Sequence, residues 1–144
     1  MWLANEEDNV QFKSNIIKKV FSYIGLATKS GNLVSGEFAT EKAIKTKKAI
    51  LVLIAEDASN NTKKKFINKC AYYKVPLYFF GKRKELGKAI GKDIRTSIGL
   101  LDRGLADGIR KQLDNICNGD MPSKTIEPKS GGSKYGENES IWNS

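Results

Sequence analysis

Two groups of residues in this chain could do chemistry. Glu56-Asp57 sets two carboxylates side by side directly after the apolar run Ala49-Ile50-Leu51-Val52-Leu53-Ile54-Ala55, at the end of a strand where α/β proteins usually carry their sites. The chain contains no histidine, the commonest general base and metal ligand. It also lacks the G-x-S-x-G, Walker A and G-x-G-x-x-G patterns. Neighbouring carboxylates by themselves specify no reaction, and Asp57 read plainly caps the next helix. An enzyme acting on a phosphate substrate through this pair is therefore the weakest reading.

The second group lies in Gly36-Glu37-Phe38-Ala39-Thr40-Glu41-Lys42-Ala43-Ile44-Lys45. At about 100° per residue, Ala39, Ala43 and Ile44 share one side of a helix, while Phe38, Lys42 and Lys45 share the other. An aromatic ring flanked by two cations suits a base to stack on and phosphates to pair with, and a helix N-terminus at Gly36 adds backbone donors. The alternative is that Phe38 packs beneath the first helix or a neighbouring loop.

The charge distribution favours an acidic partner. The chain has 25 Lys and Arg against 16 Asp and Glu, a net charge of +9. Residues 11–118 alone hold 22 bases and nine acids, with clusters at Lys47-Lys48, Lys63-Lys64-Lys65 and Lys82-Arg83-Lys84. Single runs of this kind are usually solvated faces, but three within one small domain point to phosphates. Cys70 and Cys117 are far apart and outside any CxxC spacing, which argues against a zinc site or disulfide framework and fits a reduced, cytoplasmic setting. Nothing implies a metal or other cofactor. Met1–Val10 is too acidic for a signal peptide, and the apolar runs are too short to span a bilayer.

Alternating helices and strands must position these residues. Ile16, Ile17, Val20, Phe21, Ile24 and Ala27 recur at helical spacing, predicting a first helix over Lys13–Lys29 behind an acidic extension, residues 1–12. Leu33-Val34 is a brief strand, and Ser35-Gly36 opens the second helix. Ile50–Ile54, apolar on both faces, is the central strand of a helix-covered sheet. Ser59 or Asp57 caps a third helix carrying Phe66, Ile67, Cys70 and Tyr73. Val75–Phe80 is a strand that Pro76 confines to an edge or a strand start. Lys82–Ile90 is a short helix, Thr96–Leu101 the last strand, and Asp102 caps a final helix bearing Leu105, Ile109, Leu113 and Ile116. The domain closes near Asn118. Residues 119–144, rich in Pro, Gly, Ser and Asn, read as a disordered tail with Ile141-Trp142 as a short anchor. The pattern gives an α/β fold, a three-layer α/β/α sandwich with a small mixed β-sheet.

With these residues in view, the chain resembles the ribosomal L7Ae/L30e family, and within it the small bacterial L7Ae-like proteins, over about residues 15–115. The likeness rests on Gly31-x-Leu33-x-x-Gly36-(x)5-Lys42-Ala43, on Leu51-Val-Leu-Ile-Ala-Glu-Asp57, on Lys74-Val75-Pro76 and on Leu86-Gly87-Lys88-Ala89-x-Gly91. It implies an L30e-like sandwich and a non-enzymatic protein, ribosomal or ribosome-associated, that binds kink-turn or similar structured RNA as a monomer. In the family the second helix begins Gly-x-Asn-Glu-x-x-Lys, whose polar residues contact the sheared G·A pairs of the kink. Gly36 and Lys42 match, whereas Phe38 and Ala39 replace the Asn and Glu. The exchange removes a bidentate-capable amide and an acceptor while leaving the phosphate-binding parts. The family's other contact loop corresponds to Lys92-Asp93-Ile94-Arg95-Thr96-Ser97. Ile94 would lie against a splayed nucleotide and Arg95 would meet phosphate, unless this is an ordinary connection. The candidate RNA-binding set is Gly36, Glu37, Phe38, Lys42, Lys45, Ile94, Arg95 and Thr96, with both loops at one end of the sandwich. A protein-interaction module of the same fold with reduced RNA specificity is the alternative.

Overall fold

A computed structural model describes the backbone of residues 6–120 and the side chains of residues 10–116. In chain order the elements are α1 (Glu6–Lys29), β1 (Leu33–Ser35), α2 (Glu37–Lys45), β2 (Leu51–Ile54), α3 (Asn60–Tyr73), β3 (Leu77–Phe79), α4 (Arg83–Ala89), β4 (Ser97–Leu100) and α5 (Arg103–Asp120). The four strands form one mixed sheet in the order β1-β4-β2-β3. β2 runs parallel to β3, and β4 runs antiparallel to both β1 and β2.

β2 shows why its sequence does not alternate. All four of its residues are buried, but they serve two cores. Leu51 and Leu53 pack with Val20 and Ile24 of α1, Leu86 of α4 and Ile109 of α5. Val52 and Ile54 pack with Ile44 of α2 and Phe66 and Cys70 of α3. Helices on both faces make the three-layer α/β/α sandwich. Each large side chain so buried contributes roughly 1.5–3 kcal/mol relative to exposure. β3 is an edge strand, and Pro76 stands just before it; the Pro76 carbonyl still accepts from the Val52 N–H at 3.0 Å.

α1 begins at Glu6, seven residues before the periodicity predicts. Within the added turns Val10 and Phe12 are 65% and 55% exposed, so neither extends the buried apolar stripe that begins at Ile16. α3 is capped by Ser59, whose Oγ accepts from the Thr62 N–H at 3.1 Å, and α5 by Asp102, whose Oδ2 accepts from the Leu105 N–H at 2.9 Å. Of the tail expected over residues 119–144, the part from residue 121, including Ile141-Trp142, lies outside the described residues. So does the start of the acidic extension, residues 1–5. Among the described residues no helix is long and apolar enough to cross a membrane.

Candidate nucleic-acid interface

The strand directions gather the C-terminal ends of β1, β2 and β3 and the N-terminal end of β4 at one end of the sheet. α2, α3 and α4 all start there. Gly36 makes the turn from β1 into α2 with φ 94°, a conformation that glycine adopts without Cβ strain. Its N–H donates to the Ser97 carbonyl at 2.9 Å. No side chain caps α2, so its first-turn amides and the positive end of its dipole face outward, an arrangement suited to an anion.

The loop before β4 is seated against this terminus. Arg95 Nε donates to Ser35 Oγ at 3.1 Å, and its Nη1 donates to the Ile94 carbonyl at 2.8 Å. The Arg95 N–H donates to the Arg83 carbonyl at 3.1 Å, the Lys92 N–H donates to the Gly87 carbonyl at 2.7 Å, and the Thr96 carbonyl accepts from the Ala55 N–H at 2.9 Å. Gly87 is what allows α4 to approach so closely. A Cβ there would stand 2.5 Å from the Asp93 carbonyl oxygen and 2.8 Å from the Ile94 nitrogen. The sequence shows Ser35 only as part of the opening of α2 and Gly87 only within its motif, because the partners of both are remote along the chain.

The structure separates the two readings of Phe38. Its side chain is 79% exposed, whereas Thr40, Ala43 and Ile44 of α2 are buried; it does not pack beneath α1 or a loop. Ile94 is likewise 43% exposed. Gly36, Phe38, Ile94, Arg95 and Thr96 thus meet at one end. Lys42 stands about one turn beyond Phe38 on the same exposed stripe, and Lys45 about two turns, near 10 Å along the axis, so Lys45 lies toward the far end of α2. Glu37 is ion-paired with Lys65 of α3, which also reaches Glu41 at 3.0 Å. These two carboxylates raise the Lys65 pKa above its ordinary value, the Glu37 contact most.

The acidic pair is split. Asp57 Oδ1 accepts from the Arg83 N–H at 2.8 Å, and its Oδ2 lies 3.4 Å from the Arg83 Nε. Asp57 therefore secures the start of α4 and does not cap α3. That N–H, more than the guanidinium, holds its carboxyl below the usual value. Glu56 sits 3.8 Å from the Lys82 Nζ and lines a cavity of about 210 Å³ walled mainly by Phe21, Phe80, Leu113 and Ile116. The two carboxylates thus do not converge on one substrate. Among the described residues no cluster of His, Cys, Asp and Glu could hold a metal.

The family model described as ribosomal protein L7Ae/L30e/S12e/Gadd45 matches residues 18–109. The chain belongs to this family. It is 44% identical over 94 residues, 65% of this chain and 94% of the relative, to the protein named RNA-binding protein YlxQ in Bacillus subtilis strain 168. It is 33% identical over 92 residues, 62% of this chain and 87% of the relative, to the large ribosomal subunit protein eL30 of Candida albicans. The solved structure of the Giardia lamblia 15.5kD RNA binding protein superposes with a TM-score of 0.60 over 79% of this chain and 91% of that one. At 19% identity, that likeness shows the L7Ae fold alone.

Proposed function

We propose that this chain is a non-enzymatic RNA-binding protein, ribosomal or ribosome-associated, that recognises a kink-turn-like or otherwise structured RNA. The observation that carries this reading is the joining of the turn from β1 into the uncapped α2 to the 92–96 loop by the Arg95–Ser35 hydrogen bond and to the start of β4 by the Gly36–Ser97 one. Two segments that are distant in sequence thereby form one outward-facing surface. The names of the relatives in Bacillus subtilis and Candida albicans support an RNA ligand and a ribosomal setting. In this reading the α2 amides and Lys42 meet phosphates. Phe38 and Ile94 offer apolar surface to unstacked nucleotides, and Arg95 both seats its loop and adds positive charge beside the RNA backbone. Lys45 would meet a flanking phosphate farther along α2, and Glu37 orients the neighbouring α3 lysine.

Gel-shift titrations against a kink-turn, a plain duplex and a single strand, each over a salt series, test the reading. Tightest binding to the kink-turn is expected. Lys42→Ala should weaken binding and flatten the log–log salt slope by about one unit. Equal weak affinity for all three RNAs would leave nonspecific polyanion binding and overturn the reading.

A further inference from the structure

We infer that the opposite end of the sandwich, where α2 and α3 finish, carries a second RNA-contact surface, for single-stranded RNA, made by Lys47, Lys48, Tyr72 and Lys74. Both helices end in the same reversal. The Lys47 N–H donates to the Ile44 carbonyl at 3.1 Å and the Lys48 N–H to the Ala43 carbonyl at 2.9 Å. In α3 the Lys74 N–H donates to the Ala71 carbonyl at 3.3 Å and the Val75 N–H to the Cys70 carbonyl at 2.8 Å. The pivot of such a reversal is left-handed and is usually glycine or asparagine. Here both pivots are lysines, Lys47 at φ 60° and Lys74 at φ 59°. A strained backbone that keeps a long cation where glycine would fit better is a pointer to function.

The two reversals are neighbours. The parallel register sets Val52 against Leu77, so the chain entering β2 after Lys47-Lys48 runs beside the chain entering β3 after Lys74. Tyr72 belongs to the same place. It lies seven residues, about two turns, beyond Lys65, whose ammonium bridges to Glu37 and Glu41 of α2; two turns beyond Glu37 is Ile44 in the last turn of α2, and two turns beyond Glu41 is Lys48 in the reversal itself. The Tyr72 ring is 77% exposed and held edge-on against Tyr73, with centroids 4.8 Å apart at 81°. Lys47, Lys48 and Lys74 are exposed and have no ion-pair partner among the described residues. A braced, exposed ring among unpaired cations stacks an unpaired base while the cations track its phosphates.

The test uses the full chain and two probes, a fluorescent single-stranded oligouridine and a kink-turn hairpin, at matched salt. Lys47→Gly combined with Lys74→Gly suits the left-handed backbone, so the melting temperature should hold or rise. Oligouridine affinity should nevertheless fall about tenfold and kink-turn affinity stay within about twofold. Tyr72→Ala should weaken the oligouridine alone, and Lys42→Ala chiefly the kink-turn. Oligouridine binding that the double variant leaves unchanged would overturn the inference and leave the patch to an acidic protein partner. Equal losses on both probes would overturn it as a bulk charge effect. A wild-type chain that in the gel-shift titrations above binds the kink-turn no better than the plain duplex, yet here loses oligouridine binding in the double variant, would refute the kink-turn reading while supporting the second surface.

Discussion

At the end where α2, α3 and α4 begin, segments far apart in sequence are bonded to one another; at the end where α2 and α3 finish, each reversal is closed by its own backbone. Arg95 reaches back 60 residues to Ser35, and Arg83 reaches back 26 residues to Asp57. The lysine pivots, by contrast, use carbonyls three to five residues away. The first end is therefore a product of the whole fold, sensitive to anything that moves α4 or the 92–96 loop. The second is local, and its side chains can change with little effect on the rest. Both ends rest on the same sheet.

The largest effect should come from removing what the two ends share. Leu53 is fully buried in β2, and Leu53→Asp would leave an unpaired carboxylate and a packing defect where a domain's net stability is roughly 5–15 kcal/mol. We expect loss of the cooperative melt and of native circular dichroism; unchanged spectra would mean that β2 is not the structural centre.

Gly87→Ala should break the comparison on one side only. The added Cβ meets the Asp93 backbone at 2.5 Å, so the loop must shift, at a cost of roughly 1–3 kcal/mol. Kink-turn affinity is expected to drop while oligouridine binding holds, as parallel titrations would show. Equal retention of both would mean that the loop position does not matter to the RNA.

Phe38→Asn restores the family's amide on an exposed position, so stability should change little. If the amide reads the kink, discrimination between kink-turn and duplex should rise by an amount of the order of 1–3 kcal/mol. No gain would mean that this chain recognises another feature.

The smallest expected effect is at Asp57. Its folded pKa lies below the ordinary value, so its contribution is present above the unfolded carboxylate pKa, near 3.9, and is lost as pH falls through the folded pKa. The melting temperature of Asp57→Asn should converge with that of the wild type at acid pH. A difference that stays constant across the titration would show that the carboxylate charge is not what secures α4.

Periodicity within each element made most of the fold legible. The doubly apolar run of β2, the amphipathic stripes of α3 and α5, and Pro76 beside an edge strand all record local burial, which a side chain's chemistry reports directly. The first turns of α1 escaped this reading because their large apolar residues Val10 and Phe12 are exposed and stand outside the buried stripe. In the site, the angular pattern of α2 put Phe38 beside Lys42, while its exposure depended on what the first helix and nearby loops cover.

The sequence by itself determined the layered α/β/α architecture, the basic surface and the α2 stripe that separates Ile44 from Phe38 and Lys42, because these follow from spacing and side-chain type along one segment. Tertiary structure alone decided that Arg95 bonds to Ser35, that Gly87 admits the 92–96 loop, and that Asp57 holds α4 and leaves α3 to Ser59. Each of these depends on which distant backbone arrives within hydrogen-bond or contact distance, and that is fixed by strand order and helix packing rather than by any pattern in the chain.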